Sequence, residues 1–325
     1  MATLKDVAER AEVTVTTVSR VINNRGYISE QTRKKVFEVM KELNYQPNEL
    51  ARSLSKQRTN TIGIIVPHIV HPYFAKLISN LENAAANKGY KILLCNSKAK
   101  NEKELEYIEM CKSNRVSGIV LCSRNVDAAE MKNLEIPVIT IERNLEAGTV
   151  GIECDNYQGG RLATEHLISC GCRNLLHISG IKNENMPADA RAEGFTAVCG
   201  AHGVKHKVIQ TTSRIYSTLD YHQYIRQAIE EAPGVDGIFA SSDLIAAQTI
   251  QICAEMNIRI PEKIRLVGFD DVDIAKLTTP TITTIRQPVR EMAEWAVEFI
   301  ERSLNGEALP EQFKLPVSLV KRNST

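Results

Sequence analysis

The first 45 residues carry apolar side chains at helical spacing. Leu4, Val7, Ala8 and Ala11 recur at i, i+3, i+4 and i+7, the stripe of one buried helix face. Thr3 stands where it can cap that helix, with Asp6 three residues on, close to a capping box. Glu12-Val13 breaks the pattern, Thr14 offers a second N-cap, and Val18, Val21 and Ile22 give another short apolar face. Asn23-Asn24-Arg25-Gly26 ends it with residues that tolerate a left-handed backbone. Ser29 caps a longer third helix that turns Val36, Met40 and Leu43 inward. A further segment from Pro47 to Ser55 opens with proline at a suitable first helical position. It is too short to hold as a helix alone in water.

From Thr61 the pattern changes to strands alternating with helices. Ile62-Gly63-Ile64-Ile65-Val66 is a continuous apolar run, as expected for a parallel strand buried on both faces. The pattern then predicts helix 72–88, strand 91–95, helix 102–114, strand 118–122, a short helix and strand 138–141. A second series begins after Asp155, with helices at 159–169, 190–202, 219–231 and 245–257. Its strands fall at 175–179, 207–211, 237–240 and 265–268, and a last strand is expected at 313–317. Two βα series of similar size predict an α/β fold of two doubly wound parallel-sheet lobes with a cleft between them.

Charge sharpens this division. The 325 residues carry 40 Lys/Arg and 39 Asp/Glu, a net of +1 that taken alone argues against a nucleic-acid partner. The balance is uneven: residues 1–60 carry a net of +4 and the remainder −3. The electrostatic footprint of a DNA-binding module is local, so the split outweighs the sum. All eight cysteines lie beyond residue 90, none in a CxxC pair, and the Cys170-x-Cys172 spacing does not suit zinc. They read as reduced, buried thiols, with no metal and no cofactor expected. The N-terminus is charged where a signal peptide is apolar, and no run approaches a membrane span, so the expected location is the cytoplasm.

Helix, tight turn, helix within about 20 residues is the helix-turn-helix arrangement, whose second helix enters the major groove. Val15, Thr16 and Arg20 would then face base edges: a methyl against thymine, a hydroxyl that donates or accepts, a guanidinium that forks onto guanine. Thr14, Thr17, Ser19, Asn23 and Ser29 are short polar groups suited to phosphates, and Thr3 joins them. Spacing alone also allows a small helical cap whose serines and threonines do nothing more than cap.

In the core, ligands of doubly wound lobes bind at the carboxyl ends of strands. Ser123, Glu142-Arg143 and Asp270 occupy such ends, and Tyr73-Phe74 opens the first helix of the series. Neither a GxGxxG after a strand nor a Walker lysine is present, which counts against a nucleotide-dependent enzyme.

Val7-Ala8-Glu9-Arg10-Ala11, Val13-Thr14 and Thr17-Val18-Ser19-Arg20-Val21-Ile22-Asn23 closely resemble the head of the lac repressor and purine repressor family. Asn44-Tyr45-Gln46-Pro47-Asn48 and Ala51-Arg52-Ser53-Leu54 resemble its hinge. Arg191-Ala192-Glu193-Gly194-Phe195, Ser242-Asp243, Val267-Gly268-Phe269-Asp270-Asp271 and Thr279 to Pro288 resemble its core. The resemblance covers essentially the whole chain. It implies a helix-turn-helix head over 1–46, a hinge helix and linker over 47–59, and a periplasmic-binding-protein-like effector and dimerisation core over 60–325. Lobe 1 would hold about 60–157 plus 287–313, and lobe 2 about 158–286 plus 314–325.

The resemblance further implies a repressor that binds a near-palindromic operator as a homodimer, without the tetramerising tail of some members. Leu54 would wedge into the minor groove, beside Asn48 and Ala51. Effector contacts map onto Tyr73, Phe74, Ser123, Glu142, Arg143, Arg191, Ser242 and Asp270, with Tyr216 added. The effector implied is a sugar, or alternatively a purine or nucleoside. A sugar-binding transport protein shares the core but would need secretion and has no use for residues 1–58. The sequence departs from the family at Glu12, where the turn prefers glycine, at His71 for the common Asn, and at Glu142 for the frequent Asp. Val15-Thr16 is a small base-reading pair, and Trp295 reads as core.

Overall fold

The computed structural model describes residues 2–23, 25–45, 58–122, 125–126, 128–131, 134–143, 145, 149–181 and 186–325. The expected helix at 47–55, with Asn48, Ala51 and Leu54, lies outside the described residues, as does Ser123. The chain divides into two compact units, Met1–Thr59 and Asn60–Thr325.

The first unit is three helices, α1 (Leu4–Arg10), α2 (Val15–Ile22) and α3 (Glu30–Glu42). Each begins where the sequence supplies a cap. Thr3 and Asp6 form a complete capping box, Thr14 accepts from the Thr17 amide, and Ser29 accepts from the Thr32 amide. Val7, Ala8, Ala11, Val18, Val21, Val36, Val39 and Met40 make one small core. Glu12 sits in the turn with φ of 52°, the left-handed conformation that favours glycine. Its carboxylate pairs with Lys35 at 2.7 Å.

The second unit holds two six-stranded sheets. All six strands of the first are parallel, β1 (Thr61–Val66), β2 (Lys91–Asn96), β3 (Gly118–Leu121), β4 (Val138–Ile141), β5 (Val150–Cys154) and, at one edge, β11 (Gln312–Leu315). The second contains β6 (Asn174–Ser179), β7 (Lys205–Gln210), β8 (Gly237–Ala240), β9 (Arg265–Asp270), β10 (Thr283–Arg286) and an antiparallel β12 (Ser318–Val320). Strand orders β11-β5-β4-β3-β1-β2 and β12-β10-β9-β8-β6-β7 are the same doubly wound plan used twice. Among the described residues no helix is long and apolar enough to cross a membrane.

Several elements differ from expectation. β5 was not anticipated, although all five of its residues are buried; it forms because β4 and β11 pair with it on both sides. β10 was not anticipated either; it pairs with β9 and β12. The helix expected over 219–231 is α10 (His222–Glu230), and a separate short helix, α9 (Ser213–Thr218), precedes it, with Leu219 at φ 58° between them. The strand expected over 313–317 ends at Leu315, before Pro316, which lacks the amide that a continuing ladder requires. β12 follows beyond it and belongs to the other sheet.

The helices that matter for the site are α4 (Pro72–Asn87), α7 (Asn156–Ser169), α8 (Ala190–Ala201) and α11 (Asp243–Glu255). α7 and α8 pack backbone against backbone. A Cβ on Gly160 would stand 2.1 Å from the Arg191 carbonyl oxygen, and one on Gly194 2.2 Å from that of Tyr157. Trp295, in α13 (Val289–Leu304), packs half-buried against Phe299 and Phe313, with ring centroids 5.2 and 4.8 Å away. All eight cysteines are free thiols and seven are buried.

Candidate functional site

In the head, burial sorts α2 into two faces. Val18 and Val21 are buried while Thr14, Val15, Thr16 and Arg20 are exposed. The outward face therefore offers a methyl pair, hydroxyls and one guanidinium, the set that reads a major groove. Thr17, Ser19 and Asn23 are half-exposed, and Asn23 donates through Nδ2 to the Ser19 carbonyl at 2.8 Å. Thr3, Thr14 and Ser29 are committed to their caps and are themselves exposed.

In the core, a cavity of about 100 Å³ opens at the carboxyl ends of strands from both sheets. Cys122, Glu142, Ser179, Ser242 and Asp270 each line it at or just beyond a strand end. The strand-end rule has a plain cause: helices that follow these strands start here, leaving amides and loop side chains unengaged. Tyr73, Phe74, Glu142, Arg191, Tyr216, Ser242 and Asp270, all anticipated, come together in this lining. Arg143 does not. Its guanidinium donates to the Val126 carbonyl instead, away from the lining.

Arg191 is the centre of the arrangement. Its Nε donates to Asn156 Oδ1 and its Nη1 to the Ser241 carbonyl, both at 2.7 Å. Nη2 lies 3.7 Å from Glu142 Oε2, and the guanidinium stacks 3.6 Å from the Phe269 ring centroid. Glu142 is held from behind, accepting from the Cys154 amide at 2.7 Å and from Asn156 Nδ2 at 2.8 Å. Both oxygens are thus fixed on a residue whose backbone sits at φ 55°. The extra methylene relative to Asp is absorbed in reaching Asn156.

Asp270 is buried at φ 115° and accepts from Gln287 Nε2 at 2.7 Å. Burial raises its carboxyl to about 7, against the opposing pull of Arg191 and the Gln287 bond. Next to it, Asp271 receives Arg286 Nε at 2.6 Å and a short bond from Arg322. These bonds, with the carboxylate's partial burial opposing them, hold it below the ordinary aspartate range. Lys76 of α4 donates to the Asp271 carbonyl at 2.7 Å, tying the two lobes together beside the cavity.

Aromatic rings form the apolar side. Tyr73 and Phe74 meet edge to face at 5.2 Å, and Tyr216 meets His68 edge to face at 5.2 Å. His71, where the family often has Asn, keeps the capping role: its Nδ1 accepts from the Tyr73 amide at 3.2 Å. Its ring also packs on Phe74. Ser242 caps α11, accepting from the Ile245 amide at 3.2 Å.

Sequence reasoning missed Gln287, Asp189, Tyr221 and Asn156. Gln287 directly follows β10, a strand the apolar pattern did not mark, so no strand-end cue pointed to it. Asn156 carries no local signal, because its role is to bridge Glu142 and Arg191 in space. Among the described residues no cluster of His, Cys, Asp and Glu could hold a metal ion.

Comparison with known proteins agrees with both halves. Residues 3–48 match the family described as bacterial regulatory proteins, lacI family, and residues 164–325 match the periplasmic binding protein-like domain. The chain is 35% identical over 327 residues to the ribose operon repressor of Halalkalibacterium halodurans, covering 100% of this chain and 97% of that one. A periplasmic binding protein/LacI transcriptional regulator from Alkaliphilus metalliredigens, solved with D-xylulofuranose, superposes with a TM-score of 0.75 at 32% identity. It covers 82% of this chain and 99% of its own. The lac repressor dimer bound to operator and an anti-inducer shares the fold with a TM-score of 0.85, at 24% identity over 99% of this chain and 98% of its own. Similarity that runs unbroken from the reading helix through both sheets has one explanation: the chain belongs to the lacI family of bacterial regulatory proteins.

Proposed function

We propose that this chain is a homodimeric transcriptional repressor whose grip on a near-palindromic operator is set by a carbohydrate bound between its lobes. The observation that carries this reading is the convergence of Glu142, Arg191 and Asp270 opposite the Tyr73, Phe74 and Tyr216 rings. Carboxylate and guanidinium make charge-assisted hydrogen bonds to sugar hydroxyls, and an aromatic face covers the apolar side of a sugar ring. The ribose operon of the curated relative and the sugar in the solved neighbour support the same ligand class.

Residues 1–46 form the reading head, 47–59 the hinge, and 60–325 the sensing and dimerising core. Val15, Thr16 and Arg20 read bases, while Thr3, Thr14, Thr17, Ser19, Asn23 and Ser29 hold phosphates. Asn48 and Ala51 face the minor groove around the Leu54 wedge. Ser123 belongs with the effector contacts. The protein works in the cytoplasm as a regulator and not as an enzyme. Coupling arises because the sugar favours one lobe arrangement over another, and only one arrangement spaces two heads for the operator.

The test is operator binding by fluorescence anisotropy, on a duplex selected by this protein from random sequence. Adding the cognate sugar shifts operator affinity, and the shift is absent in Asp270→Ala. A sugar response that survives Asp270→Ala would remove the cavity from the mechanism.

A further inference from the structure

Which chemical form of sugar the cavity accepts is decided by its charges and by its unfilled hydrogen-bond positions. Among the described lining residues the acids are Glu142, Asp189 and Asp270, and Arg191 is the one guanidinium. That guanidinium is already engaged by Asn156, the Ser241 carbonyl and the Phe269 ring, with Glu142 3.7 Å away. Its charge is therefore matched before any ligand arrives.

The helix N-termini at the cavity do not reverse this balance. α4 is capped by His71 and α11 by Ser242, while Asp243 stands in the first turn of α11. Asp189 stands at the N-cap of α8. Asp189 offsets the positive dipole of α8 that a phosphate would otherwise exploit, and the His71 and Ser242 caps already occupy amides at the other two ends.

The unfilled positions point the same way. Gln287 gives its Nε2 to Asp270 Oδ1, and its buried Oε1 accepts nothing. Asp270 keeps Oδ2 for a ligand. Such a surface is rich in acceptors and asks for donors. A hydroxyl supplies one donor and two acceptor lone pairs, so a polyol can satisfy Gln287, Asp270 and Arg191 together. An ionised phosphate brings acceptors only, and it places two negative charges beside Glu142.

We infer that the effector is a neutral, unphosphorylated monosaccharide, and that the cavity rejects the phosphate esters of the same sugar. The inference rests on the cavity being the effector site.

Isothermal titration of the full chain separates the two claims. The probes are D-ribose, D-xylulose, D-fructose and D-glucose, each beside its terminal phosphate. One neutral sugar binds, and its phosphate binds at least ~100-fold more weakly, as like charges at close range in a partly buried site require. Glu142→Gln narrows that ratio, because one of the repelling charges is gone. A phosphate that binds as tightly as its neutral sugar overturns the inference and leaves the effector reading standing. Heat from none of the eight overturns both. A ratio unchanged in Glu142→Gln and in Asp270→Asn would show that these carboxylates do not set the selection, and it too counts against the inference.

Discussion

Gly160→Ala is the most direct test of how the fold holds its effector arginine. A Cβ at this position would lie 2.1 Å from the carbonyl oxygen of Arg191 itself. An unstrained carbon–oxygen contact needs about 3.3 Å, so α7 and α8 must part by roughly 1 Å. Both sides of the gap are backbone in helices, which cannot swing aside as a flexible side chain does. Overpacking of this kind costs about 1–3 kcal/mol, offset by about 0.5–1 kcal/mol of helix propensity gained over glycine. With Tm falling roughly 2–4 °C per kcal/mol in a domain of this size, calorimetry should show a loss of a few degrees.

The same displacement acts on binding. Asn156 rides on α7 and Arg191 on α8, joined by the 2.7 Å Nε–Oδ1 bond. Moving the helices apart misdirects the guanidinium. A hydrogen bond to a charged group contributes ~1.5–3 kcal/mol, so sugar affinity should fall about tenfold or more. Gly200→Ala is the internal control. It lies in α8, the helix of Arg191, with nothing within 4 Å of an added Cβ, so it should raise Tm slightly and leave affinity alone. Wild-type Tm and affinity in Gly160→Ala would refute the claim that this close approach positions Arg191.

Three other outcomes are expected. Glu12→Gly removes a left-handed non-glycine that costs ~1–2 kcal/mol and loses only an exposed pair to Lys35. Amide exchange across residues 4–42 should slow, and faster exchange would contradict the strain. Burial raises Asp270 to about 7, so the unliganded native state keeps a proton that the unfolded chain releases near the ordinary aspartate value of 3.8. The native state binds more protons between about pH 4 and pH 7, and its stability from this group falls as pH rises through that window. Urea titrations of Asp270→Asn should lack that component, and parallel profiles for the two proteins would rule it out. Operator affinity should decline linearly with the logarithm of salt concentration as phosphate counterions are released; a flat profile would deny the head its role.

Much of the molecule is legible without coordinates because its cues are local. Thr3, Thr14 and Ser29 cap through amides three residues away. The helical stripes need only neighbours within two turns. Glu142 and Asp270 were reachable because strand ends can be read from apolar runs. Failures fall where long-range contact overrides local pattern. Val150–Cys154 becomes a strand through partners at 138–141 and 312–315. Arg143, adjacent to Glu142 in sequence, bonds to Val126 and not to the cavity.

The sequence by itself determined the family, most of the order of elements, the small basic head and most of the residues around the cavity. Periodicity, capping and turn chemistry act over a few residues, so one chain read in order is enough to find them. Only the tertiary structure decided what those residues can do. Arg191 is balanced by groups 35, 49 and 50 positions away, at Asn156, Glu142 and Ser241. Asp270 is raised by burial that no neighbour in sequence supplies. The net charge of a site, and the hydrogen bonds it leaves open, are properties of side chains brought together from distant segments. The proposed selection between a sugar and its phosphate therefore follows only once the chain has folded.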